Sequence, residues 1–271
     1  MGEIISIVSQ KGGVGKTTTV VNLGAGLAAL GNRVLLIDFD PQAQIASSFK
    51  FSKYDIRSDV SELLLKKSKL KDAIHPAGVE NLFFIPGIFL STNEDILGKI
   101  TTENNKQLVA LMKQVKLQFD YILIDCPPSL GDVSANVLKV SDSVIVPVQC
   151  EYYALATVRK VLQLIRDIKK NHNPKLIYRG FLITMVDLRS KLSRFVLERL
   201  RYTLKELVFD TMIPRNIRLA EVPMFGKPVQ FIDNNSRGAR SYSDLAKEIL
   251  NQDGTIESSS SKIPFKNAEN F

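Results

Sequence analysis

The sequence predicts an α/β protein with a doubly wound, mostly parallel sheet flanked by helices. Three observations lead to this fold class. Short β-rich runs recur along the chain, helical patterns fill the gaps between them, and most of the runs are apolar throughout instead of alternating. Strands that are apolar at every position are typical of a parallel sheet covered by helices on both faces.

Each element is predicted from a local pattern. The predicted strands are residues 4–8, 34–37, 82–85, 121–124, 143–148, 176–184 and 208–213. The predicted helices are residues 16–30, which Gly31 closes, and residues 104–117, 154–170, 190–207 and 241–250. The stretch after Asn251 is polar and has little to bury. We therefore expect one domain over residues 1–250 and a mobile tail over residues 251–271.

The composition is that of a globular protein. A chain of 271 residues with 45% hydrophobic content can bury one sizeable core. No run reaches the roughly 18 apolar residues that a membrane-spanning helix needs, and no signal peptide precedes the first strand, so we expect a cytoplasmic location. The two cysteines, Cys126 and Cys150, lie beside apolar runs, which favours core positions over redox chemistry.

The positive charge is concentrated in one third of the chain. The formal net charge is +8. Residues 1–150 are neutral, with 15 basic and 15 acidic side chains, whereas residues 151–240 hold 18 basic and 8 acidic side chains. Because clustered charge creates the field that binds phosphate backbones, this distribution indicates a polyanionic partner.

The segment after the first predicted strand has the composition of a phosphate-binding loop. It consists of Lys11, Gly12, Gly13, Val14, Gly15, Lys16, Thr17 and Thr18. Glycines let the backbone curl around phosphate, Lys16 suits the β- and γ-phosphates, and the Thr17 hydroxyl suits Mg²⁺. The helix that begins near Lys16 also favours an anion at its N-terminus. The sequence therefore predicts a Mg²⁺-dependent P-loop ATPase.

Acidic residues follow two of the predicted strands. Asp38 and Asp40 follow strand 34–37, and Asp125 follows strand 121–124. Ligands in open α/β sheets bind beyond the carboxyl ends of strands, so all three carboxylates are expected near the phosphates. We assign Asp38 and Asp125, with Thr17, to the metal shell and Asp40 to the attacking water. An alternative for Asp40 is a capping or turn aspartate before Pro41.

The phosphate loop departs from the general motif in one informative way. Gln10 stands at the first glycine position, and a second lysine, Lys11, lies inside the loop, which is the deviant Walker A variant. With the motifs below, the chain up to about residue 250 closely resembles the ParA/Soj family of partition ATPases, within the group that includes MinD. The further motifs are residues 38–42 (DFDPQ), 125–131 (DCPPSLG), 147–155 (PVQCEYYAL) and 213–221 (IPRNIRLAE).

This resemblance implies an ATP-dependent sandwich dimer. In such a dimer Lys11 of each subunit reaches the nucleotide of the other and acts in catalysis with Lys16 and Asp40, while Gly12 lets the subunits approach closely. The resemblance also places the adenine against Pro214 and Arg215. It further implies a ParB-like centromere-binding partner that stimulates a weak basal hydrolysis. One departure is Ala43-Gln44, where the family usually has Gly-Asn.

A basic helix face is predicted in the positively charged third of the chain. Arg189 and Arg218 coincide with positions that bind DNA non-specifically in the family. On the helix from Ser190, one face carries basic side chains interrupted by Glu198, namely Lys191, Arg194, Arg201 and Lys205. The opposite face, toward the core, is formed by Leu192, Val196, Leu200, Leu204 and Leu207. We expect sequence-independent, salt-dependent binding of double-stranded DNA and association with the nucleoid. The alternative is an ordinary solvated helix face.

Three other functions fit the same loop less well. A MinD-like membrane-cycling ATPase ends in a basic amphipathic helix, whereas residues 255–271 show no helical stripe, so no membrane partner is expected. A P-loop metabolic enzyme needs an acceptor pocket, of which the sequence gives no sign. A shared iron–sulfur cluster needs cysteines at other spacings than Cys126 and Cys150.

Overall fold

The computed structural model describes residues 2–87 and 94–258. Within these ranges the centre of the fold is a seven-stranded sheet in the order β3-β4-β2-β5-β1-β6-β7. The strands are β1 Glu3–Ile7, β2 Val34–Asp38, β3 His75–Pro76, β4 Leu82–Ile85, β5 Tyr121–Asp125, β6 Ser143–Gln149 and β7 Ile177–Thr184. Only the pairing of β3 with β4 is antiparallel. The mostly parallel sheet predicted from the sequence is confirmed.

Helices cover both faces of this sheet. Those in the described ranges are α1 Lys16–Ala29, α2 Gln44–Ser48, α3 Val60–Leu64, α4 Leu70–Ala73, α5 Glu94–Glu103, α6 Asn105–Lys116, α7 Asp132–Val140, α8 Ala154–Asn171, α9 Lys191–Leu204, α10 Ile217–Ala220, α11 Val222–Phe225, α12 Val229–Ile232 and α13 Arg237–Ser258. The core between the sheet and α1 with α13 is separate from the core under α6 to α9. Nowhere in the described ranges is a helix both long enough and apolar enough to span a bilayer.

One predicted strand is wrong. Residues 208–213 run beside β7, but they form only isolated contacts with it, such as the Phe209 N–H donating to the Phe181 carbonyl at 3.2 Å. The N–H groups of Asp210 and Thr211 instead donate to the Glu248 carboxylate on α13, at 2.8 and 3.0 Å. Because these donors are taken by a side chain, a continuous ladder cannot form. The segment nevertheless fills the place of an edge strand.

The core-facing side of α9 differs from the prediction at one residue. Val196, Leu200 and Leu204 are buried, but Leu192 is 46% exposed. Ser193 takes the core-facing position in the first turn. Leu192 precedes it by one residue and is therefore rotated by about 100° around the helix, away from the core. The α-helix also ends at Leu204, and the last predicted turn is a 3₁₀ helix, Lys205–Leu207.

The last helix continues beyond the expected tail boundary at residue 250. The Asp253 carboxylate accepts a hydrogen bond from the Tyr121 hydroxyl and pairs with Arg179. The Arg179 side chain is only 3% exposed and also pairs with Glu3 at 2.6 Å. This ionic cluster fastens α13 to the amino-terminal ends of β1, β5 and β7, so residues 251–258 were wrongly assigned to the tail. Residues 259–271 lie outside the described ranges.

Removal of the charge at position 253 tests this attachment. Asp253→Asn keeps the shape of the side chain but loses the ion pair with the buried Arg179, so we expect a loss of about 1 to 3 kcal/mol in the free energy of unfolding. The matched control is Asp244→Asn on the same helix, where the exposed pair with Lys247 at 3.3 Å should contribute less than about 1 kcal/mol. Urea unfolding measures both, and equal midpoints for the two variants would refute the role of the cluster.

Candidate nucleotide-binding site

The predicted parts of the site meet at one edge of the sheet. β5 lies between β2 and β1, and in this register Asp125 is opposite both Asp38 and Ile7. Since the three strands are parallel, their carboxyl ends bring the acidic residues to the point where the glycine-rich loop leaves β1. The sequence prediction that these segments are neighbours is supported by this geometry.

The backbone of the loop has the conformation that its glycines allow. Gly13 and Gly15 have φ angles of 73° and 91°, in the left-handed region that side chains with a Cβ rarely adopt. The carbonyl of the buried Val14 accepts a hydrogen bond from the Thr184 hydroxyl at the end of β7, at 2.9 Å. Directly after the loop, α1 begins with the buried Lys16. Loop, lysine and helix N-terminus are thus continuous, with Thr17 and Thr18 in the first turn of α1.

Asp38 and Asp40 lie at and just beyond the end of β2 and are both buried. The Asp38 carboxylate accepts backbone N–H groups of Asp40 at 2.9 Å and Ile45 at 3.0 Å. The Asp40 carboxylate accepts the N–H of Gln42 at 2.9 Å through Oδ1. The turn role left open for Asp40 is therefore present in the structure. It occupies one carboxylate oxygen, so it is compatible with a role in orienting water.

Asp125 and Asp38 are both electrostatically perturbed. Its Oδ2 accepts the Thr17 hydroxyl at 2.6 Å, whereas its buried Oδ1 has no hydrogen-bond partner in the described parts of the chain. Burial raises the pKa of Asp125 to about 7, against the opposing effects of Thr17 and Lys16. Burial, followed by the neighbouring Asp125, also raises the pKa of Asp38 well above its usual range. The described residues around Asp38 and Asp125 thus supply too little positive charge to keep both buried carboxyl groups at their usual pKa.

These residues fit a Mg²⁺ ion. An unpartnered carboxylate oxygen beside a threonine hydroxyl supplies hard oxygen donors, and a divalent cation would offset the charge of Asp38 and Asp125. Residues 2–87 and 94–258 contain no convergent set of three or more acidic, histidine or cysteine ligands. Sites of this kind hold Mg²⁺ through one or two side chains plus the substrate phosphates.

Lys11 lies at the exposed rim of the site. Its ammonium group pairs with Glu151, which follows the end of β6. Sequence reasoning did not identify Glu151 as a site residue, although a carboxylate directly after a parallel strand is itself a signal. Next to it, Tyr152 and Tyr153 are exposed and pack edge to face. Gly12 is also exposed, and an added Cβ there would meet Pro128 alone among the described residues, at 3.8 Å.

The two residues predicted to contact adenine lie beyond the end of β7. Pro214 bridges to Val186, and the Arg215 N–H donates to the Val186 carbonyl at 3.1 Å. The segment therefore lies at the carboxyl ends of the strands, as the phosphate loop does. Their role in adenine binding stays a prediction.

The arginines predicted to contact DNA are each held by carboxylates of the same chain. Arg189, with a side chain 91% exposed, makes two hydrogen bonds of 2.9 Å to Asp187. These bonds lower the pKa of Asp187 to about 2. Arg218 pairs with Glu221 at 2.9 Å and with Asp233 at 3.4 Å. On α9, Lys191 and Arg194 are both exposed, as predicted. The DNA-binding role of all four residues stays a prediction.

Comparison with known proteins places the chain in a family. The family model described as an AAA domain matches residues 2–178. The sporulation initiation inhibitor protein Soj of Bacillus subtilis is 45% identical over 92% of this chain and 98% of its own length. The chromosome partitioning protein ParA of Myxococcus xanthus is 38% identical over 93% of this chain and 89% of its own length.

Solved structures share the fold. The septum site-determining protein MinD of Pyrococcus horikoshii, complexed with Mg-ADP, superposes with a TM-score of 0.76 at 26% identity, over 94% of this chain and 98% of that one. A cobyrinic acid a,c-diamide synthase of Mycobacterium smegmatis with a bound ATP analogue and magnesium has a TM-score of 0.77 at 31% identity, over 94% and 97% of the two chains.

The fold and the site together define a P-loop nucleotide-binding protein of the MinD/ParA type. The sequence is 38% to 45% identical to Soj and ParA proteins over nearly the whole chain, which identifies the family within this class. The chain belongs to the Soj/ParA family of ATPases.

Proposed function

We propose that this protein is an ATP-dependent DNA partition ATPase. In the ATP-bound state two copies form a sandwich dimer that binds double-stranded DNA without sequence preference. Hydrolysis, stimulated by a ParB-like centromere-binding partner, returns the protein to a form that leaves DNA. This cycle takes place in the cytoplasm, on the nucleoid. The name of the Myxococcus xanthus relative, a chromosome partitioning protein, supports the general role.

The observation that carries the proposal is the position of Lys11. A P-loop needs one buried lysine, and Lys16 fulfils that need. Lys11 instead lies exposed at the rim, near exposed tyrosines and an exposed Gly12, where an added Cβ would meet no described residue closer than 3.8 Å. An exposed rim that carries a lysine and tyrosine rings suits contact with a second copy. The nucleotide would then lie between the copies and control their association.

The basic third of the chain supports the DNA-binding half of the proposal. Arg189 and Arg218 lie in segments that follow the carboxyl end of β7. The phosphate site also lies at the carboxyl ends of the strands. Two such surfaces in one dimer would bind DNA more tightly than one, because the second contact is intramolecular. A contact made through phosphates is sensitive to salt and insensitive to sequence.

DNA binding in different nucleotide states tests this function. We expect an unrelated duplex to bind with ATP and Mg²⁺ and to bind at least tenfold more weakly with ADP or without nucleotide. Arg189→Ala and Arg218→Ala should each weaken binding and reduce the dependence on salt by about one phosphate contact. Lys175→Ala is the matched control, because this exposed lysine lies before β7, at the opposite end of the strand.

The ion pair of Arg189 adds a test of opposite sign. Asp187→Asn releases Arg189 from its carboxylate, so it should strengthen DNA binding, and it should have no such effect in the Arg189→Ala background. Fluorescence anisotropy measures each affinity. Equal affinity in all nucleotide states would refute the switch, and arginine variants indistinguishable from Lys175→Ala would refute the assignment of the DNA surface.

A further inference from the structure

The outer side of α9 carries an exposed apolar stripe. Leu192, Phe195 and Tyr202 lie three and seven residues apart, a spacing that places them on one side of a helix. Phe195 is 60% exposed and Tyr202 is 78% exposed. Isolated exposed apolar residues are ordinary, but a row of three large ones is a feature of interaction surfaces. We call these three residues the α9 stripe.

A groove between α8 and α9 borders this stripe. It has a volume of about 190 Å³ and is lined by Leu155, Val158, Arg159 and Leu162 of α8 and by Arg199 and Thr203 of α9. Arg199 follows Phe195 by four residues and precedes Tyr202 by three, so its side chain adjoins both rings. The groove and the α9 stripe therefore form one continuous surface. Its floor is aliphatic, and Arg159 and Arg199 supply its charge.

Basic side chains border the other side of the stripe. By helical position, the basic α9 residues that follow the stripe around the helix, away from the groove, are Lys191, Arg194 and Arg201, all exposed, and the exposed Glu198 interrupts this basic row. Together α8 and α9 carry nine basic and two acidic side chains. Around the circumference of α9, Leu192 lies on the groove side, at the level of Arg199 and Thr203, then come Phe195 and Tyr202, and the basic row follows. An apolar strip lies between two positively charged borders.

We propose that this surface binds an acidic amphipathic helix of a partner protein. The α9 stripe spans about 15 Å, or roughly three helical turns, which matches apolar anchors spaced by one turn on a docked helix. Carboxylates beside those anchors would meet Arg159 and Arg199 on one side and the basic row on the other. A DNA backbone offers no apolar surface for Phe195 and Tyr202, and a flat bilayer does not fill a groove.

A synthetic helix provides the test. The probe is a fluorescent peptide of about 16 residues with leucines on one face, at the spacing of helical anchors, and glutamates elsewhere. Its counterpart has the same leucines with lysines in place of the glutamates. We expect the acidic peptide to bind the full-length protein and to lose at least tenfold in affinity for Phe195→Ser/Tyr202→Ser. The matched control is Tyr54→Ser, another highly exposed ring, which should bind like the wild type.

The double variant should fold like the wild type, because neither ring is buried in the core. Thermal unfolding and basal ATP hydrolysis check that it does. Failure of the acidic peptide to bind, equal binding of the basic peptide, or undiminished binding to the double variant would each overturn the proposal.

Two further experiments test whether a membrane or a second copy of the chain occupies this surface instead. Cosedimentation with phosphatidylglycerol vesicles that the double variant abolishes would reassign the surface to a membrane. Nucleotide-independent self-association that the same variant abolishes would reassign it to a second copy.

Discussion

Replacing Asp40 by alanine should lower the rate of ATP hydrolysis by about 100-fold or more while ATP still binds. A positioned carboxylate that orients or deprotonates the attacking water typically contributes at least this factor. Binding should survive, because Asp40 raises the pKa of the neighbouring Asp125 and its removal therefore relieves repulsion in the metal site. Single-turnover hydrolysis with excess enzyme measures the rate, and calorimetry with ATP and Mg²⁺ measures the affinity.

Asp40→Asn separates the catalytic role of this residue from its structural one. Asparagine retains a side-chain oxygen that can accept the Gln42 N–H, which preserves the turn seen in the structure, but it has no negative charge. If Asp40 acts on water, both variants are slow. Recovery of the wild-type rate by Asp40→Asn would show that the residue serves only to shape the turn.

The sequence predicted the central part of the fold because its strands are fully buried. Such strands are apolar at every position and are bounded by helical patterns, so β1, β2, β5 and β6 are recognisable locally. The segment 208–213 is also largely apolar, yet the N–H groups of its two polar residues, Asp210 and Thr211, donate to Glu248, which is 37 or more residues away in sequence. Only tertiary structure decides whether such a segment pairs. The helix α7 was missed, although a parallel connection between β5 and β6 requires a crossover element.

Some features of the phosphate site could be predicted from the local sequence, and others could not. Gly13, Gly15 and Lys16 are dictated by local backbone conformation and by the helix that follows, which a short motif encodes. Lys11 is paired with Glu151, just beyond β6, and Val14 with Thr184 at the end of β7. Both partners are more than 130 residues away in sequence, so no motif around the loop contains them. Likewise, the unpartnered Oδ1 of Asp125 depends on how three strand ends pack together.

The two lysines of the loop should differ sharply when each is removed. Lys16→Ala should reduce the affinity for ATP and Mg²⁺ by about 100-fold or more, because a buried cation that meets phosphate cannot be replaced by water. The same change also removes the positive charge that lowers the pKa of Asp125, so the carboxyl group would hold its proton more tightly and compete with Mg²⁺.

Lys11→Ala removes the same charge from the same loop, but at an exposed side chain whose partner in this chain is Glu151. It should leave ATP affinity within about threefold of the wild type in dilute, monomeric protein, since surface ion pairs contribute little. It should instead abolish the ATP-dependent increase in mass, which light scattering measures. Equal losses of ATP affinity in the two variants would mean that both lysines bind the nucleotide of their own subunit. The proposed division between a buried binding lysine and an exposed bridging lysine would then be wrong.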